Sequence, residues 1–134
     1  MAGYSGRPLH AKLGLKAGQN AVLLDAPDRY TDLLGPEAPD LVFRKTLAAG
    51  ADFIHIFSNR RVDVESHLQA ALPLMARNGM IWVSWPKKAS KQPTDLTEDV
   101  IRNIALSLGL VDVKVCAVDD TWSGLKLMIR KELR

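Results

Sequence analysis

Lys87, Lys88 and Lys91 crowd one short polar loop, and Arg60 opens another. Near a helix N-terminus such side chains can hold an anion, because the helix adds N–H donors and the positive end of its dipole. Lysines are also mostly left in solvent, so a solvated basic loop is the plainer reading. Asp119, Asp120 and Thr121 include two carboxylates, but Asp-rich turns between strands need no chemistry to explain them. His10, His55 and His67 are too scattered for a local metal motif. His55 lies mid-run among Phe53, Ile54, Ile56 and Phe57 and reads as a buried, neutral, hydrogen-bonded ring. Cys116 has no cationic cluster beside it in sequence and reads as an inert small residue. No P-loop, nucleophile elbow or helical pair of zinc ligands is present.

Three tryptophans remain. Trp82 and Trp85 differ by an odd number, so on one strand they face opposite sides. Trp122 falls in a predicted turn, where it would cover a pocket, meet a partner, or fold over the adjacent strands.

These residues sit in a chain of 134 residues with 18 Lys+Arg and 15 Asp+Glu, a net charge of +3. The length predicts a single domain over residues 1–134 with a sizeable core. One cysteine excludes an internal disulfide framework. No apolar run approaches a membrane span of roughly 18 residues, and the opening Met1–Gly6 lacks the pattern of a signal peptide. The interspersed acids make nucleic acid an unlikely partner.

The elements that must position the candidates follow from pattern. Helices are expected over 7–13, with Pro8 in the first turn and Gly14 as stop, and over 27–34, closed by Gly35-Pro36. A longer helix is expected over 63–77, with Val64, Leu68, Ala71 and Met75 as its stripe, Pro73 as a kink and Asn78-Gly79 as its end. Thr97 should cap a fourth helix whose inward residues are Val100, Ile104 and Leu108, with Leu96 and Ile101 as a hydrophobic staple. Strands are expected over 20–25, 41–44, 52–58 and 80–85. Two long strands from Val111 and Leu125 follow, joined by a turn over 119–124. So short a connection makes that last pair antiparallel.

Buried strands alternating with helices predict a three-layer α/β fold around a mostly parallel sheet. Right-handed crossovers and the final hairpin suggest six strands in the order 2-1-3-4-6-5. This looks like the class I methyltransferase version of the Rossmann-like fold. Only about eight residues link the second and third strands, reaching roughly 26 Å at about 3.3 Å per residue. That leaves no room for a crossover helix, so the fold would be a shortened version.

In such sheets ligands sit beyond the carboxyl ends of the strands, at the switch in strand order. The candidate ligand-binding residues are therefore Asp25, Asn59, Arg60, Trp85, Lys87, Lys88 and Trp122. Yet the turn Leu24-Asp25-Ala26-Pro27-Asp28 has no glycine. Pro27 removes an amide donor, and Asp25 and Asp28 would repel a phosphate. Arg44-Lys45 stands where a ribose-binding acid would end the second strand. Dinucleotide or S-adenosylmethionine binding in the usual mode is thus disfavoured, and no cofactor is expected.

The segments Trp85-Pro86-Lys87-Lys88-Ala89-Ser90, Thr94–Arg102 and Gly109–Lys126, with the opening Ala2–Gly6, resemble a family of small bacterial proteins classed as a domain of unknown function. The resemblance implies a bacterial, stand-alone, cytoplasmic protein and brings no catalytic residue with it. The leading expectation is a Rossmann-like binding or regulatory domain, taking a small anion or a protein partner near Lys87, Lys88 and Trp122. The alternatives are an atypical S-adenosylmethionine-dependent transferase, and an interaction module that forms a homodimer through the edge strand over 110–118.

Overall fold

A computed structural model of the chain describes residues 7–134. The opening segment used in the resemblance lies outside them. The sheet has six strands in the order β2-β1-β3-β4-β6-β5. They are β1 (Ala21–Leu24), β2 (Phe43–Arg44), β3 (Ala51–Phe57), β4 (Met75–Pro86), β5 (Leu110–Ala117) and β6 (Trp122–Ile129). β1, β2, β3 and β4 pair in parallel, while β6 is antiparallel to both β4 and β5. This is the Rossmann-like, methyltransferase-like topology expected from the pattern. The link from β2 to β3 carries no helix, so the fold is shortened where the chain length required it.

Helices α1 (Leu9–Leu13) and α2 (Tyr30–Leu33) cover one face, and α3 (Arg61–Ala71) and α4 (Glu98–Ser107) cover the other. Trp82 and Trp85 lie on opposite faces, each in a separate apolar cluster. The larger cluster holds Val64 and Leu68 of α3, Ile101 and Ile104 of α4, and the inward side chains Leu125, Leu127 and Ile129 of β6. At about 25 cal/mol per Å² of buried apolar surface, these fully covered side chains dominate the stabilisation of the fold.

Several expected boundaries move, each for a local reason. Pro8 is the extended N-cap of α1, not its first helical residue. The helix after Pro27 shrinks to Tyr30–Leu33, because Pro27 joins a turn through its carbonyl, which accepts from the Tyr30 amide. α3 ends at Ala71, before Pro73, and Met75 is a strand residue paired with Ala51. Apolar spacing continues through the turn at 72–74, so periodicity alone cannot separate the two elements. Asn78-Gly79 therefore lies inside β4 and does not end a helix. At Gly79 the strand register is irregular, and a Cβ would sit 2.9 Å from the Ala76 carbonyl oxygen and 3.0 Å from that of Ala51. Thr97 caps α4 as expected, its side chain accepting from the Val100 amide at 3.2 Å. The most buried residues of α4 are Ile101, Ile104 and Ala105, while Val100 and Leu108 are only half-buried. The final turn spans only 118–121, so Trp122 is the first residue of β6 and pairs with Pro86. β5 forms the sheet edge, with Val113 and Val115 exposed and a bulge between Asp112 and Lys114.

Candidate functional site

Beyond the carboxyl ends of β1 and β2 lies a cleft of about 390 Å³. Leu23, Phe43 and Pro27 give it apolar walls. Asp25 and Asp28 line it on the β1 side, and Lys45 lines it on the β2 side. The turn after β1 makes this geometry. Asp25 adopts φ 60, the left-handed conformation that glycine commonly supplies. Aspartate tolerates it better than most residues, because its short side chain can bond locally. Asp25 Oδ2 is 3.1 Å from His67 Nε2 on α3, which ties the turn to the opposite helix layer. A tight left-handed turn is thus retained without glycine.

The Tyr30 ring also lines the cleft, but its hydroxyl turns inward to His55 Nδ1 at 2.9 Å. His55 Nε2 lies 2.7 Å from Ser84 Oγ. His55 and Ser84 are wholly buried and Tyr30 nearly so, and the chain of three runs from α2 through β3 to β4. Burial lowers the His55 pKa to about 3. Burial also pushes the Tyr30 phenol well above its ordinary value, with a smaller push from Cys116. A neutral ring satisfies both neighbours when Tyr30 donates to Nδ1 and Nε2–H donates to Ser84. His55 is therefore the buried, neutral, hydrogen-bonded residue that its setting suggested. Its partners, 25 residues earlier and 29 later, carry no sequence signal.

Aromatic rings pack together at the carboxyl ends of β3 and β4. Phe57 packs edge-on against Tyr30 at 5.8 Å and against Trp122 at 5.1 Å between centroids. Asp119 is almost fully buried and holds the hairpin turn, its Oδ1 accepting from the Thr121 and Trp122 amides at 2.8 and 2.7 Å. This is the turn role its sequence context predicted.

Of the seven sequence candidates, Asp25 alone lines the cleft. Asn59 is exposed, and its carbonyl accepts from Thr94 Oγ1 at 2.7 Å. Arg60 is the exposed N-cap of α3. The next amide, that of Arg61, donates to Asp95 Oδ1 at 2.7 Å, so a carboxylate of the chain already engages this helix N-terminus. Trp85 is buried in the core beside α3 and α4. Lys87 is half-buried with its amide on the Thr121 carbonyl, and Lys88 is exposed at the start of a single 3-10 turn. Trp122 covers Phe57 and does not reach the cleft lining. Phe43 and Tyr30 line the cleft and were not singled out, whereas Lys45 lines it at the end of the second strand, where the sequence placed Arg44-Lys45 in the position of a ribose-binding acid. Only the β1–β2 neighbourhood, visible in the strand order, pointed to Phe43. Among the described residues no group of three or more His, Cys, Asp or Glu is placed to hold a metal. No helix among them is long and apolar enough to cross a membrane.

No family model matches the chain, and no curated protein matches it. Solved structures do. A putative methyltransferase from Thermoplasma acidophilum matches with TM-score 0.59 and 9% identity over 87% of this chain and 70% of that one. Magnesium protoporphyrin IX methyltransferase (ChlM) from Synechocystis PCC 6803, with bound SAM, matches with TM-score 0.58 and 11% identity over 90% of this chain and 74% of that one. A variant of LepI in complex with SAH and a substrate analogue matches with TM-score 0.54 and 14% identity. The chain is 91% covered in that match but spans only 39% of LepI's length. At these identities the matches establish the methyltransferase-like fold.

Proposed function

We propose that the chain is an atypical S-adenosylmethionine-dependent transferase domain, with its cofactor in the cleft beside β1 and β2. The observation that carries this reading is the left-handed Asp25 at the end of β1, which keeps a tight turn beside a cleft at the carboxyl edge of a methyltransferase-like sheet. Ligands of open α/β sheets sit at that edge.

The lining fits the charge of such a cofactor. Asp25 and Asp28 would attract its sulfonium and ammonium groups, Lys45 would pair with its carboxylate, and Phe43 and Leu23 offer apolar surface to a flat base. The same acids disfavour a phosphate-bearing nucleotide. The lining does not supply the usual hydrogen bonds, since Pro27 has no amide proton and Lys45 replaces a ribose-binding acid. Binding would rest on charge and apolar contact. When bound, the cofactor supplies an electrophilic methyl group.

A second reading, a binding or regulatory domain without transfer chemistry, is favoured by the packed rings at the carboxyl ends of β3 and β4. There Phe57 and Trp122 occupy the room next to the cleft.

Calorimetry with S-adenosylmethionine and its demethylated product tests the cofactor. We expect micromolar to sub-millimolar binding, weakened at least tenfold by Asp28→Lys. No heat with millimolar ligand rejects the proposal. Binding without any release of demethylated product, across added small-molecule acceptors, selects the second reading.

A further inference from the structure

β2 closes one side of the sheet, so its outer edge carries no neighbouring strand. The chain through it alternates. Asp40, Val42 and Arg44 are exposed, and Leu41 and Phe43 between them are half-buried. Leu41 and Phe43 pack against the apolar cluster on the α1 side. Arg44 is paired with Val22, whose side chain lies in the cluster beside α3 and α4. Asp40, Val42 and Arg44 therefore form a row on the α3 side, each about 7 Å from the next. All three also border one groove of about 380 Å³, beside Gly18, Gln19 and Asn20.

Helices normally cover both faces of a parallel sheet. Here the link from β2 to β3 carries none, and Val42 is left 86% exposed. Neither Asp40 nor Arg44 has an ion pair or a side-chain hydrogen bond among the described residues.

The row runs acid, apolar, base, and a two-fold rotation about Val42 maps it onto its own complement. With a second copy laid antiparallel along this edge and Val42 opposite Val42, Asp40 of each copy meets Arg44 of the other. Leu41 of each meets Phe43 of the other on the α1 side. This register keeps like faces together. Cross-strand pairs of opposite charge, and of apolar side chains, both stabilise a sheet. Pro39 has no amide proton, which ends the ladder just before Asp40. The other edge of the sheet, β5, is interrupted by the bulge between Asp112 and Lys114, and a bulge twists an edge away from pairing.

We propose that the chain forms a two-fold homodimer by antiparallel pairing of residues 40–44, with Val42 on the axis and an Asp40–Arg44 pair on either side. A contact of this kind uses the same patch on both copies, so assembly closes at two. Leu41 of the second copy then stands beside Phe43, which lines the cleft, and extends its apolar wall. The contact rests on the edge strand alone, so its failure leaves the transferase reading untouched.

Sedimentation of the full chain, from micromolar to sub-millimolar concentration, tests this. The wild type should pass from monomer to dimer as concentration rises. Asp40→Arg sets arginine opposite arginine, and Arg44→Asp sets acid opposite acid. Each alone should weaken association at least tenfold. An equimolar mixture of the two should regain the dimer, because both cross-copy pairs are then opposite in sign. Val42→Asp, on the axis, should abolish dimerisation, and Val115→Lys on β5 should leave it unchanged. All four positions are exposed, so the variants keep the fold. A wild type that stays monomeric throughout, a dimer that survives the single variants, or a mixture that fails to associate overturns the proposal. So does loss of the dimer in Val115→Lys, which marks β5 as the interface.

Discussion

Arg29 Nη2 lies 2.7 Å from Asp119 Oδ2, although Arg29 follows β1, Asp119 precedes β6, and β3 and β4 lie between those two strands. The pair joins the loop that borders the cleft to the final hairpin. Its two ends differ in weight. Arg29 is 62% exposed, whereas the Asp119 side chain is 6% exposed and also holds two backbone amides. Arg29→Ala should therefore cost about 1 kcal/mol or less, as for an exposed partner. Asp119→Ala should cost about 2 kcal/mol, because it leaves two half-buried amides unpaired. Urea denaturation of the two variants checks the asymmetry.

His55 sets an acid limit on stability. Its folded pKa is about 3 against 6.5 for the free ring, so below 6.5 the unfolded chain binds more protons. Stability is fully present above about pH 7 and falls as pH drops through 6.5 toward 3. Between about pH 7.5 and pH 5 the loss from this residue should be about 2 kcal/mol. His55→Gln, which still bonds but does not titrate, should remove that slope in denaturation curves taken across the window.

Asp25 holds a left-handed conformation that suits few side chains. Asp25→Gly should leave the melting temperature near the wild-type value, because glycine adopts this backbone freely. Asp25→Val should cost about 1–2 kcal/mol, since a β-branched residue resists positive φ. Thermal melts of the two variants give the comparison. Equal loss in both would show that the His67 contact, and not the backbone, matters at this position.

The strand order was legible because long apolar runs such as Ala21–Leu24 and Phe53–Phe57 mark buried parallel strands, and because β5 and β6 are too close in sequence to pair otherwise. The boundary near Met75 was not, because a residue at helical spacing from Ala71 is equally apolar at the start of a strand. The cleft was half legible. Its edge and the place of Lys45 at the end of the second strand follow from the pattern, but Phe43 joins Asp25 only through the β1–β2 register. The Lys114–Lys126 pairing was not legible, because the bulge between Asp112 and Lys114 sets that register and leaves no mark in the alternating pattern.

Cys116 should react slowly. It is half-buried, and burial raises its pKa above the ordinary thiol value despite the opposing charges of Lys12 and Lys114. The thiolate is the reactive form, so labelling near pH 8 by a thiol reagent should run well below the rate of a free cysteine. Lys114→Met should slow it further by removing one opposing charge.

Gly79→Ala should be among the more costly substitutions in the sheet, about 1–3 kcal/mol, because the added methyl meets three carbonyl oxygens that belong to backbone. Chemical denaturation of this variant beside Gly18→Ala checks it. At Gly18 a Cβ meets nothing within 4 Å, and only its positive φ opposes the change.

β4, at 12 residues, binds a parallel neighbour on one side and an antiparallel one on the other. The antiparallel and parallel parts of the sheet that meet on it should close at different times. The β5–β6 hairpin can zip within microseconds and then dock, whereas joining β1 to β3 must wait for a chain excursion of tens of residues. In pulse-labelling during refolding, amides of the carboxyl-terminal half should therefore be shielded first. The cleft, lined wholly by residues between 23 and 45, lies on the outer side of that slower joint and would be the last part of the molecule to take shape.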